Sequence, residues 1–175
     1  MLTLNAALLE NMQAYERFVA AVKRVPGGAW ATPVAPGKWT PAQIAEHIAI
    51  SFDIATGALK GESGIPGMPR LVRPLIRALF FRRILKTKTF PRNAKSPKVF
   101  HPSETSAPLT QTLDRLARAS AGLDAAVAAL RQSGEATIEH PVFGTIPVEE
   151  YLELNAIHTR HHMGQLPASG AAVSA

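Results

Sequence analysis

The chain has 175 residues, the length of one ordinary domain built around a single substantial core. Hydrophobic residues make up 46% of it and charged residues 18%, with a mean hydropathy of +0.04, which excludes both a disordered chain and a membrane bundle. There is no cysteine, so a disulfide framework, a thiol nucleophile and any Cys-based metal site are ruled out, and metal chemistry must use His and carboxylates.

The net charge of +6 is unevenly spread. Residues 61–100 hold ten basic residues against the single acid Glu62, a net of +9, while the other nine basic and twelve acidic residues leave −3. One segment carries the basicity, and the remainder is a mildly acidic ordinary domain. The first residues have no basic start and no continuous apolar core, which points to a cytoplasmic protein. No apolar run reaches the ~18 to 20 residues of a membrane-spanning helix.

Leu4, Leu8, Met12, Tyr15, Val19 and Val22 recur at helical spacing and predict a first helix that ends before Pro26-Gly27-Gly28. Thr40-Pro41-Ala42-Gln43 is a capping box with Pro at the first helical position, so a second helix is expected from about Pro41 to about Leu59. On its wheel His47 shares an arc with Ile44, Ile48, Ser51, Ile54 and Ala55 and points inward, whereas Glu46 reads as solvated.

Leu71, Val72, Leu75, Ile76 and Leu79 then line one face of a basic helix, with Arg70, Arg73 and Arg77 opposite. The plainest expectation is an apolar face packed on the core and a solvated Arg side. Phe80-Phe81-Arg82-Arg83 breaks the phase, and the Pro-rich stretch from Thr87 to Pro108 reads as irregular. Leu109, Leu113, Leu116, Leu123, Val127 and Leu130 predict a long third helix to Ser133-Gly134. Residues 136–146 suit a short hairpin or an extended loop, and Pro147 with Glu149 and Glu150 opens a last helix running to about Leu166. Four long helices with a basic insert imply an all-α helical bundle, residues 1–166 with the insert at about 61–108, followed by a flexible tail over 167–175.

The last helix turns polar groups inward. Leu154, Asn155, His158, His161, His162 and Gln165 share a broad face, with Glu153 and Arg160 opposite. Each such group buried without a partner costs ~1 to 3 kcal/mol. His158 and His162 stand one turn apart, a spacing that lets two imidazoles converge on one ion. A chain with six His shows such a pair by chance roughly one time in six, so the inward His47 is what gives the pair weight. The alternative is that these are core histidines bonded to backbone, Asn155 or Gln165. His161 is turned away from the pair and suits contact with a substrate or support of a ligand. His101 and His140 precede prolines and read as surface or turn residues.

Three patches carry a family likeness. Lys38-Trp39-Thr40-Pro41-Ala42-Gln43-Ile44-Ala45-Glu46-His47-Ile48 resembles the Trp-Ser/Thr segment before the first ligand His of the DinB/YfiT-like superfamily, and His158-Thr159-Arg160-His161-His162-Met163-Gly164-Gln165-Leu166 resembles its terminal H-x-x-x-H helix. The stretch from His140-Pro141-Val142-Phe143-Gly144 to the double His is similar to one uncharacterised subgroup. The resemblance implies a DinB-like up-down-down-up four-helix bundle, with the basic helical insert between its second and third long helices. It further implies a divalent transition metal, nickel, zinc or manganese, held by His47, His158 and His162. The activities it implies are those of transferases or isomerases using an external low-molecular-weight thiol on a small-molecule substrate, while a metal-bound water with a lowered pKa would make the protein a metal-dependent hydrolase. The insert, and Pro147 where a capping Ser or Thr is usual, depart from the family pattern.

Thr159 stands where a zinc protease of the H-E-x-x-H type has its Glu, so that chemistry is disfavoured. The remaining candidates for acid–base work are His161, His101, Tyr151 and residues of the insert. The competing function is a non-catalytic bundle whose insert binds an anionic ligand at Arg70, Arg73 and Arg77, a membrane surface or a protein partner. Nucleic acid fits least, because the aromatics at Phe80, Phe81, Phe90 and Phe100 form no recognisable binding motif. An open apolar face on the basic helix would favour a homodimer.

Overall fold

The capping box is formed as the sequence predicts. Thr40 Oγ1 accepts from the Gln43 amide at 3.1 Å and Gln43 Oε1 accepts from the Thr40 amide at 3.0 Å, so that helix α2 spans Pro41–Leu59. The computed structural model describes residues 2–62, 64–91 and 96–167. Around α2 lie α1 (Leu4–Lys23), the short α3 (Arg73–Ile76) and α4 (Arg82–Thr87), the long α5 (Leu109–Ser133) and α6 (Val148–Met163). A hairpin of β1 (Thr137–His140) and β2 (Gly144–Pro147) stands between α5 and α6, pairing Ile138 with Ile146. Residues 168–175 of the expected tail lie outside the described residues.

The four long helices pack as two neighbouring pairs, α2 on α5 and α1 on α6. The α2–α5 pair is parallel: Asp53 meets Arg115 and, further along both helices, Thr56 meets Gly122. Two consecutive long helices can run parallel only if the chain returns along the full length of the first, ~28 Å for 19 residues. The segment from Lys60 to Pro108 makes that return. Small residues let α2 sit close to its neighbours, with Ala45, Ala49 and Ala55 buried beside Ile44, Ile48 and Phe52, and α5 contributes Leu116, Leu123 and Val127 to the same core. Gly134, at φ +76°, ends α5 in the left-handed conformation, its amide returning to the carbonyls of Leu130 and Arg131.

The buried stripe of α1 is Ala7, Asn11, Ala14, Phe18 and Val22, while Met12 is exposed. The expected stripe of larger apolar residues is thus rotated. Asn11 sits in its centre because Asn155 Nδ2 of α6 donates to its Oδ1 at 2.8 Å, and periodicity of apolar residues alone cannot register that partnership. Helix α6 is buried on nearly every side. Glu153, expected opposite the core, is buried and paired with Lys88, and Glu150 is buried and paired with Arg82 at 2.5 Å, both cations coming from the insert. Pro147 precedes α6 as its cap residue and makes no side-chain cap bond.

The insert corrects the expected orientation of the basic helix. Arg73 turns inward, donating to Glu139 Oε1 at 2.9 Å and to the Met68 carbonyl at 2.8 Å, and Arg77 donates to the Thr145 carbonyl at 2.6 Å. The apolar side faces out instead: Leu71 is 95% exposed, Leu75 60% and Leu79 57%. A π-helical turn at Arg77–Phe81 joins α3 to α4. Its extra residue rotates everything after it back by ~100°, which resets the phase at Phe80-Phe81 so that Phe81 and Ile84 are buried on the side where Arg73 and Arg77 dock. The hairpin buries Ile138 and Ile146 inward and meets the insert with Glu139, the Thr145 carbonyl and Phe143, which take up Arg73, Arg77 and Phe81.

His140 is buried in the hairpin turn, where its Nδ1 accepts from the Val142 and Phe143 amides at 3.2 and 3.3 Å. Burial, with a smaller push from Arg73 against the opposing Glu139, holds its pKa down to about 4. Because this lies below the ~6.5 of an unfolded His, the neutral ring contributes stability above pH 6.5 that is lost as pH falls toward 4. In His140→Asn, which keeps an acceptor for the two amides, the acid-side loss of unfolding free energy between pH 6.5 and 4 is expected to shrink by at most ~3 kcal/mol, measured by urea titration at each pH.

Candidate metal centre

Three side chains that the sequence placed on inward faces meet at the α2–α6 contact. His158 Nε2 stands 3.2 Å from His47 Nε2 and 3.0 Å from His162 Nε2, and one ligand atom from each of the three rings lies within 4.8 Å of the others. His47 reaches this point from the second turn of α2, whose start the capping box sets, and His158 and His162 reach it from successive turns of α6. Two donors ~2.1 Å from one ion and at right angles are ~3.0 Å apart, so the spacing fits a shared transition metal.

The outer nitrogens support the same reading. His47 Nδ1 lies 2.6 Å from the Phe100 carbonyl, which can only accept, so the ring proton sits on Nδ1 and the Nε2 lone pair faces the cluster. His162 Nδ1 lies 2.9 Å from Gln165 Oε1, with the same consequence. Such partners on the far ring nitrogen are how proteins set the tautomer of a metal-binding His. Burial lowers the pKa of all three rings. For His47 the Phe100 carbonyl opposes this and nearby His101 and His161 add to it; His158 is pushed well below the ordinary value, with His162 and His47 adding; His162 is pushed down to about 3, with His47 adding and Gln165 opposing. At neutral pH all three rings are uncharged, and His47 and His162 turn their Nε2 lone pairs toward the cluster.

His161 lies outside the trio, its ring 5.1 Å from His162. The Gln165 amide joins the two: its Oε1 takes the His162 proton and its Nε2 donates to His161 Nε2 at 3.1 Å, leaving the His161 proton on Nδ1. Burial lowers the His161 pKa, so this ring too is neutral. His101 is exposed, bonded at Nε2 to the Ser96 carbonyl, and touches Trp39 edge-on. Tyr151 is buried against His140, its pKa pushed up by burial, and lies in the hairpin contact rather than among the three rings. His140 serves the turn as expected, though from a buried position.

Aromatic rings enclose the cluster. Trp39 packs on His47 at 4.8 Å and stacks toward His162 at 6.2 Å, while Phe90 lies 5.1 Å from His158 and 5.7 Å from His161. Phe100 closes the His47 side. Phe90 and Phe100 belong to the irregular part of the insert, where no period marks a residue as facing inward, so nothing local in the sequence identified them. Glu46, expected to be solvated, instead holds the returning chain, accepting from the Ser103 amide and hydroxyl at 3.1 and 2.8 Å. Gln43 donates to the Ser103 carbonyl and Trp30 Nε1 to the Ala107 carbonyl, and these bonds keep Phe100 against His47.

The crystal structure of TT2238, a four-helix bundle protein, is similar over 93% of this chain and 96% of that one, with a TM-score of 0.58 and 23% identity. That likeness shows the bundle fold. No curated protein matches the chain. The family model of the DinB superfamily matches residues 11–166, a span that takes in the three converging histidines, and the chain belongs to that superfamily.

Proposed function

We propose that this protein is a divalent-metal-dependent enzyme acting on a small molecule, with His47, His158 and His162 holding nickel, zinc or manganese. The observation that carries the reading is the convergence of three Nε2 atoms, with His47 and His162 held at Nδ1 by acceptors. A bound ion would supply a Lewis acid that lowers the pKa of a donor atom from a substrate or co-substrate. Trp39, Phe90 and Phe100 line that point with apolar rings. His161, neutral and with its Nε2 engaged by Gln165, keeps its Nδ1–H as a hydrogen-bond donor for the reacting group, the supporting role this reading gives it.

We favour thiol transfer over hydrolysis on the acidity of the attacking group. Among the described residues the cluster consists of histidines alone, and Thr159, in the place of a protease Glu, spends its hydroxyl on the Asn155 carbonyl at 2.9 Å. A thiol loses its proton far more readily than water and needs no strong base. In the transfer, the sulfur of an external low-molecular-weight thiol forms a bond to an electrophilic carbon, the leaving group departs with its electron pair, and the thiol proton passes to solvent or to the leaving group. The chain has no cysteine, so the thiol comes from outside it.

Elemental analysis of protein purified without a His tag is expected to find about one equivalent of transition metal, falling below ~0.2 in His158→Ala. A metal-free wild type in medium containing all three metals would overturn the reading. Metal-loaded wild type should consume an electrophilic test substrate at least ~10-fold faster with thiol than without; equal rates would favour hydrolysis. Gln165→Leu, which leaves His162 Nδ1 without its acceptor, should weaken metal affinity about 10-fold with the helical circular dichroism unchanged.

A further inference from the structure

We propose that the outer side of the insert helix is a docking surface for an anionic membrane, lying flat at the lipid–water interface. Leu71, Leu75 and Leu79 follow one another along this side, and Phe80, 51% exposed, adjoins them. Among the described residues nothing covers these side chains. The helical stretch from Arg73 to Thr87 is anchored by its other side, through Arg73 and Arg77 on the hairpin, Phe81 and Ile84 in the core, and Arg82 on Glu150 of α6. Its apolar side therefore cannot turn inward without breaking those contacts.

The occupant is argued from charge. The π-helical turn sets the later residues back by ~100°, and this brings the exposed Arg83 and Lys86 onto the same outer side as Leu71 and Leu75. Arg70 is exposed just before the helix. The side chains of Arg70, Arg83 and Lys86 make no ion pair among the described residues, whereas Arg73, Arg82 and Lys88 are spent on Glu139, Glu150 and Glu153. Residues 64–100 contain no Asp or Glu. A second copy meeting this face across a two-fold axis would bring its cations against the same cations with no acid from the segment between them. Anionic headgroups supply the missing charge, and the acyl boundary takes up the leucines and the phenylalanine, as in interfacial amphipathic helices.

Flotation with phosphatidylcholine vesicles containing about 30 mol% phosphatidylglycerol tests this. Wild-type protein is expected to float with these vesicles and not with phosphatidylcholine alone, and to be released as salt is raised. Leu75→Asp/Leu79→Asp and, separately, Arg83→Glu/Lys86→Glu should each lower partitioning at least ~10-fold, with thermal unfolding and metal content unchanged, since all four side chains are exposed. Three results would overturn the proposal: no binding to the anionic vesicles, equal binding to neutral ones, or retention of binding in both variants. A wild-type dimer in sedimentation that becomes monomeric in Leu75→Asp/Leu79→Asp would assign the face to a second copy instead.

Discussion

A helix buried on nearly every side cannot carry two carboxylates, an amide and several imidazoles unless other elements bring partners to each of them. Helix α6 is in that position, and much of the molecule is arranged around the requirement. Helix α1 supplies Asn11 to Asn155, the insert supplies Arg82 to Glu150 and Lys88 to Glu153, and α2 supplies the third imidazole to His158 and His162. Truncating one partner of a buried pair costs more than the pair itself contributes, because the remaining group stays desolvated. The polar partnerships therefore act as registry constraints between elements whose apolar surfaces alone would tolerate sliding.

The basic segment has three roles that a sum of charges cannot separate. It makes the long return between two parallel helices, it neutralises two carboxylates of α6, and it lays Phe90 and Phe100 against the histidines. Arg73, Arg77, Arg82 and Lys88 are consumed inside the molecule. What remains for solvent is a smaller cationic face beside uncovered leucines. Removing these exposed leucines from water is favourable only against another apolar phase, roughly 25 cal/mol for each Å² covered, and the described residues offer none.

At the site the rings stand as neutral donors. Burial disfavours imidazolium at each of His47, His158 and His162, and mutual repulsion adds to it. The Phe100 carbonyl and Gln165 then choose which nitrogen keeps the proton in His47 and His162. Neutral ring nitrogens facing one point, beside Trp39 and two phenylalanines, form an arrangement in which a bound group would meet little competing water.

The local signals were those the sequence determined by itself. The Thr40–Gln43 capping box, the ends of α2 and α5 and the His158–His162 spacing each depend on residues within a turn or two, so they could be read in full. The helical wheel also turned His47 inward and four periodic segments implied a bundle, while the family likeness added the three-His ligand set and the order of the helices. Only the tertiary structure decided the burial of Glu153, the rotation of α1 about Asn11, the inward turn of Arg73 and Arg77 and the place of Phe90 and Phe100 at the site. Each of these rests on a partner distant in the chain. Periodicity reports how apolar one side of a helix is, and it carries no record of which polar group elsewhere will offset the cost of burying the other side.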